Sequence, residues 1–118
     1  DARRKAGLPS MMERRGQEPR IRTAPNLARV AVAVVAKSSG ITVSDLTGRE
    51  GGWKRAHARQ TAALVLRRLG MSYPVIGLAL GDRHHTAAMR AVRQAEARVA
   101  VCGDERVNAL VEAARAAT

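Results

Sequence analysis

Two stretches differ in how apolar positions recur along the chain, and the break falls near residue 25. Residues 1–24 (DARRKAGLPSMMERRGQEPRIRTA) carry no sustained apolar period. Their Gly, Pro and scattered charges predict a basic flexible arm or linker, with a helical turn around residues 11–15. Pro25 and Asn26 then open NLARVAVAVVAKSSG, in which Leu27, Val30, Val34 and Val35 share one side of a helix. The valines make a strand the competing reading, and the 3.6-residue spacing and the alanines favour the helix. Ser38, Ser39 and Gly40 end it.

Beyond Gly40 the period shortens and then returns. In ITVSDL, Ile41, Val43 and Leu46 are apolar anchors of a short connection, followed by the flexible, partly basic loop TGREGGWKR. RAHARQTAALVLRRLG predicts an amphipathic helix burying Ala58, Ala62, Val65, Leu66 and Leu69, with Gly70 as its stop. Ser72 as N-cap and Pro74 in the first turn predict a short apolar helix ending at Gly81. A longer helix follows from about residue 84, with Ala88, Val92, Ala95 and Val99 in one buried stripe. A last helix over residues 104–116 points Val107, Leu110, Val111 and Ala114 inward. The pattern predicts an all-α domain of about five helices over residues 25–118, with no internal repeat.

Composition narrows the core and then the partner. Phe is absent, with one Trp (Trp53) and one Tyr (Tyr73), so the core has to be aliphatic. Trp53 is expected to fold back onto that core, because large aromatics are mostly buried; the competing expectation is that its loop orders on a partner. Lys and Arg number 21 against 10 Asp and Glu, a net charge of +11. Residues 25–118 alone carry 14 cations against 7 acids, so the folded part is basic in its own right. Such a surface favours a polyanion, and arginine suits bidentate contact with phosphate or guanine. One cysteine, Cys102, excludes an internal disulfide and a Cys-rich zinc module. Its expected role is a small hydrophobe. No apolar run reaches the ~18 residues a membrane span needs, and no secretory signal is visible. A cytoplasmic protein is expected. The chain begins with Asp1 rather than Met, so a fragment, a processed product or a trimmed form is expected.

The densest chemistry lies in GDRHHTAAMRAVRQAE, residues 81–96. A short helix, a tight glycine turn and a longer helix make a helix-turn-helix, whose second helix presents its N-terminal residues to base edges in the major groove. Arg83, His84, His85 and Thr86 fall there. Arg can bond guanine bidentately, His can donate to or accept from base edges, and Thr86 and Ala87 can touch a thymine methyl. The rival readings are weaker. Adjacent histidines on a helix point about 100° apart and share a metal poorly, and the HExxH spacing and any carboxylate cluster are absent. Nucleophilic chemistry would need a chance meeting of Cys102 with a histidine, and no Walker phosphate loop occurs. That the histidines merely cap and pack remains open.

These residues resemble a known family. ARQTAALVLRRLGMSYPVIGLALGDRHHTAAMRAVRQAE is similar to the C-terminal DNA-binding domain, domain IV, of the bacterial replication initiator DnaA. Ala58-Arg59-Gln60 match its ARQ anchor, and Ser72-Tyr73-Pro74-Val75-Ile76-Gly77 match its SxPxIG-like segment. Gly81, Arg83, His85 and Thr86 match a signature close to GRDHTTV. The likeness spans about residues 25–100. It implies a Trp-repressor-like helix-turn-helix bundle that reads the major groove with the signature, reaches the minor groove with the loop before the long helix, and holds phosphates with flanking cations. Carried over, the base readers would be Arg83, His85 and Thr86, with His84, Ala87 and Arg90 as further candidates for base reading. The backbone or minor-groove set would be Arg49, Lys54, Arg55, Arg59, Arg67, Ser72, Tyr73 and Pro74. The departures are His84 for the signature Asp, Ala87 for its second Thr, and a loop in which the usual minor-groove arginine falls at or near Gly51. They imply a DNA site other than the standard initiator box.

The expected function is sequence-specific binding of double-stranded DNA by a transcription regulator, as in stand-alone DnaA-like activators of gene-transfer-agent or phage-like clusters. The alternatives are a DNA-binding fragment of an initiator, a replication-initiation regulator binding origin boxes, and an adaptor for an acidic protein surface. RNA polymerase or another regulatory protein is an expected partner. No enzymatic activity, cofactor, metal, membrane or small-molecule substrate is expected, and localisation with the nucleoid is.

Overall fold

A computed structural model of the chain describes the backbone of residues 17–118 and side chains from residue 26 onward. Six helices follow in order: α1 (Gln17–Ser39), α2 (Val43–Thr47), α3 (Trp53–Arg68), α4 (Tyr73–Ala79), α5 (His85–Cys102) and α6 (Glu105–Ala116). The described residues contain no strand, so the helical reading of the valine-rich stretch holds.

α1 begins eight residues earlier than the sequence pattern predicts. Pro25 reads as a first-turn residue, because a proline lacks the N–H that an interior position would use. Here it sits inside the helix, so the rung to the Ile21 carbonyl is missing and the helix continues back to Gln17. Residues 1–16 of the expected arm, with the turn around residues 11–15, lie outside the described residues. The buried side of α1 is also shifted. Ala28, Ala31, Val32, Val35 and Ala36 are buried, whereas Leu27 and Val34 are only half-buried against them. Alanines at the contact let α1 approach α3 and α6 closely.

α3 is the hub, packed against every other helix. Ala58, Thr61, Ala62, Ala63, Leu64, Val65 and Leu66 are all buried, nearly around the whole axis. The expectation of one apolar side was too narrow, because a helix surrounded on all sides has no solvent face for most of its length. Thr61, the one buried polar side chain of the core, donates from Oγ1 to the His57 carbonyl at 3.0 Å. α6 buries Val107, Leu110, Val111 and Ala114, as the pattern predicts. No helix among the described residues is long and apolar enough to cross a membrane.

Candidate nucleic-acid interface

α4 and α5 meet at a turn built on glycine. Gly81 has φ of 104° and Asp82 a φ of 60°, and together they reverse the chain. The turn closes on α4 through Arg83 N–H to the Gly77 carbonyl at 2.8 Å. A Cβ at Gly77 would strike the Arg83 carbonyl, and one at Gly81 would strike the Thr47 carbonyl. The turn is thus pressed between α4 and the end of α2, where only glycine fits. α2 is fixed in turn by a capping box. The Asp45 N–H donates to Thr42 Oγ1 at 3.0 Å, and the Thr42 N–H donates to Asp45 Oδ2 at 3.3 Å. Those bonds from Thr42, with the nearby Arg55, hold the Asp45 carboxyl below its ordinary range.

α5 starts on His84, whose extended backbone (φ −63°, ψ 151°) makes it the N-cap. Its Nδ1 accepts the Thr86 N–H at 3.2 Å and lies 2.8 Å from Thr86 Oγ1. With Nδ1 accepting the Thr86 N–H, the neutral ring carries its proton on Nε2. Thr86 keeps its hydroxyl and methyl at the exposed first turn of α5. The His84 and His85 rings lie 4.3 Å apart at 35°. They do not diverge by the helical angle expected from sequence, because His84 is outside the helix proper. His84 Nδ1 is committed to the cap, and the described residues contain no group of three His, Cys, Asp or Glu able to hold a metal.

His84, His85 and Thr86 are all exposed. Along α5, Thr86, Arg90 and Arg93 recur at i, i+4 and i+7 on one side, opposite the buried Ala88, Val92 and Ala95. Arg93 was missed from sequence, although the same period that identified the core stripe points to it. Ala87 is half-buried and lines a groove between α3 and α5 with Ala56, Arg59, Leu80, Arg83 and Arg90.

The cations divide into committed and uncommitted groups. Arg83 donates from Nε to the Leu80 carbonyl at 2.9 Å and from Nη2 to the Gly48 carbonyl, so it ties the turn to the loop between α2 and α3. Two of its five N–H groups are thereby engaged internally. Arg55 pairs with Glu50 at 2.9 Å and Asp45 at 3.2 Å. Arg59 donates to the Leu46 carbonyl at 3.2 Å. Arg67 donates to the Met71 carbonyl at 2.9 Å and lies 4.2 Å over the Tyr73 ring, bracing the turn that carries Ser72 and Pro74, both exposed. By contrast Arg49, Lys54, Arg90 and Arg93 are exposed and make no hydrogen bond or ion pair among the described residues.

Like charges crowd this end of the molecule. Burial and the neighbouring Arg83 and Arg55 lower the pKa of Arg59, and burial and Arg49 lower that of Arg83. Guanidinium groups stay charged despite such shifts. Arg49, Arg55, Arg59 and Arg83 thus lie near enough to repel one another beside the start of α5.

A family model described as Bacterial dnaA protein helix-turn-helix matches residues 30–95. The chain belongs to that family. The match runs from α1 into α5 and so includes the glycine turn, the cationic loop and the exposed face of α5. As a helix-turn-helix member of the DnaA C-terminal type, the chain is a sequence-specific DNA-binding domain, and double-stranded DNA is its partner.

A second groove on the far side of α3 brings His57 and Cys102, which sequence could not place together, into one lining with Thr61, Arg98 and Arg106. No hydrogen bond joins the pair, and no carboxylate orients His57. Burial, then Arg98 and Arg106, lowers the His57 pKa below its usual 6.5; Glu105 and Cys102 also line the groove. The folded state therefore holds fewer protons than the unfolded chain between the lowered pKa and 6.5, and stability rises with pH through that window. Melting temperature should fall as pH drops below about 6.5 toward the lowered folded pKa, and His57→Gln should flatten that limb in circular-dichroism melts. An unchanged slope in the variant would exclude His57 as the titrating group.

Proposed function

We propose that the chain is a transcription regulator that reads duplex DNA in the major groove with the first turn of α5 and holds the adjacent backbone with cations of α5 and of the loop between α2 and α3. One observation carries the reading. The exposed Thr86 and Arg90 stand on the face of α5 opposite its packed stripe, with His85 exposed as the first residue of the helix, beside a cationic loop tied to the same turn by Arg83.

In this mechanism the reading groups are His84 Nε2–H, the His85 ring, Thr86 with its hydroxyl and methyl, the Ala87 methyl, and Arg90. Arg83 is a positioning residue that sets the loop against the recognition turn. Arg49, Lys54 and Arg93 contact phosphates, and Arg55 and Arg59 act from behind by fixing α2 and the loop. The Ser72, Tyr73 and Pro74 turn, braced by Arg67, meets the backbone at the start of α4.

His84 and Ala87 stand where the family signature has other residues, and Gly51 stands where its loop has arginine. These changes favour a regulator with its own target, such as an activator of a gene-transfer-agent or phage-like cluster recruiting RNA polymerase, over an initiator fragment on origin boxes. Mapping bound sites across the genome separates the two, through promoters in the first case and the replication origin in the second.

Electrostatic engagement has its own test. If Arg49, Lys54 and Arg93 each neutralise a phosphate, the slope of log affinity against log salt should be about −3. Each single alanine variant should make it shallower by about one. Affinity independent of salt would rule out phosphate contact.

A further inference from the structure

Trp53 is the largest apolar side chain the folded chain leaves in water, 80% exposed. The expectation that it packs onto the aliphatic core is wrong, for a local reason. It is the first residue of α3, immediately after Gly52 with its φ of 105°, and a Cβ at Gly51 or Gly52 would meet nothing within 4 Å. Among the described residues, no neighbouring element covers this end of the helix. Its aromatic neighbour is His57, one turn on, with ring centroids 6.5 Å apart and edge to face.

The position of Trp53 on α3 says what lies beside it. Trp53, Ala56 and Gln60 recur at i, i+3 and i+7 and share a face. Ala56 lines the groove that also holds Ala87 and Arg90 of α5. Gln60 donates from Nε2 to Gln94 Oε1 of α5 at 3.0 Å. The face of α3 that carries Trp53 is thus the face that meets the recognition helix, continued one turn past where α5 covers it. Exposed Arg49 and Lys54 belong to the same stretch of chain, before and after Trp53 in sequence, and the loop leading to it is anchored to the recognition turn through Gly48 and Arg83.

We propose that Trp53 is a DNA-contacting residue, an apolar side chain that seats against the duplex beside the major-groove site read by α5. This rests on the duplex-binding reading above and adds to it a contact that is not electrostatic. The exposed cations of this stretch attract phosphates and disfavour a second basic copy of the chain as occupant. An indole supplies a large contact area with few rotors to freeze.

The sole tryptophan makes the test direct. Duplex binding is followed independently by anisotropy of a labelled duplex, while acrylamide quenching reports the exposure of Trp53. At saturation the quenching constant should drop at least about twofold. Trp53→Ala should weaken binding about tenfold, with the fold intact by circular dichroism and the salt slope unchanged, because no counterion is released by an apolar contact. Trp53→Phe should recover part of the loss. A saturated complex in which Trp53 stays as accessible as in the free chain, or a Trp53→Ala variant with wild-type affinity, overturns the proposal and leaves the duplex-binding reading standing. Absence of any anisotropy change overturns both.

Discussion

Gly81→Ala is expected to lower the unfolding free energy by roughly 3 kcal/mol or more, a large share of a small domain's stability. Two costs combine. A non-glycine residue at φ 104° is strained by about 1–2 kcal/mol, and the added Cβ meets the Thr47 carbonyl, which the backbone of α2 holds in place. Gly70 supplies the internal control. It has a comparable φ of 93°, but a Cβ there would meet nothing within 4 Å. Gly70→Ala should therefore cost only the backbone strain, about 1–2 kcal/mol. Urea unfolding followed by circular dichroism compares the two, and equal losses would mean that the turn is not wedged against α2. Because Thr47 leads directly into the cationic loop, Gly81→Ala should also shift that loop away from the recognition turn and weaken DNA binding beyond what unfolding explains.

The second large effect separates reading from bracing. Replacing His85 and Thr86 together by alanine should remove roughly 2–4 kcal/mol of discrimination between the preferred duplex and a scrambled one, given about 1–3 kcal/mol per good base contact. Affinity for scrambled DNA should change little, since neither side chain is a phosphate-holding cation. Arg83→Ala should behave differently. It leaves the Gly48 and Leu80 carbonyls without their partner, which frees the loop carrying Arg49. Binding should weaken on both duplexes alike, and the melting temperature should fall, because a charged hydrogen bond contributes about 1.5–3 kcal/mol. Arg83→Lys should restore little of either, since an ammonium does not reproduce the fork that joins two carbonyls.

The parts of this arrangement visible in the sequence are those set by local rules. Ser72, Pro74 and Gly81 mark α4 and its turn, and the Ala88, Val92 and Ala95 stripe marks α5 and, by opposition, its exposed side. Such signals act within one or two turns of helix. The roles of the arginines are not local. Arg55 reaches Asp45 across 10 residues, Arg59 reaches Leu46 across 13, and Arg83 reaches Gly48 across 35. A sequence displays fourteen cations in residues 25–118 but not which of them are consumed by internal carbonyls and carboxylates. Trp53 failed for a related reason. Burial of a large aromatic needs a neighbouring element to cover it, and at the start of α3 none of the described residues does. Pro25 misled by being compatible with two positions, the first turn that the pattern favoured and the helix interior that it occupies.

The central claim is that the first turn of α5 reads base pairs. Its most direct measurement is selection of bound duplexes from a random pool, carried out in parallel with the wild-type chain, the His85→Ala/Thr86→Ala variant and Arg83→Ala. The account predicts a defined motif for the wild type. The double variant should recover the same motif degenerate at one or two adjacent base pairs, and Arg83→Ala the full motif at reduced yield. Recovery of an undiminished motif by the double variant, or of no motif by the wild type, would contradict it.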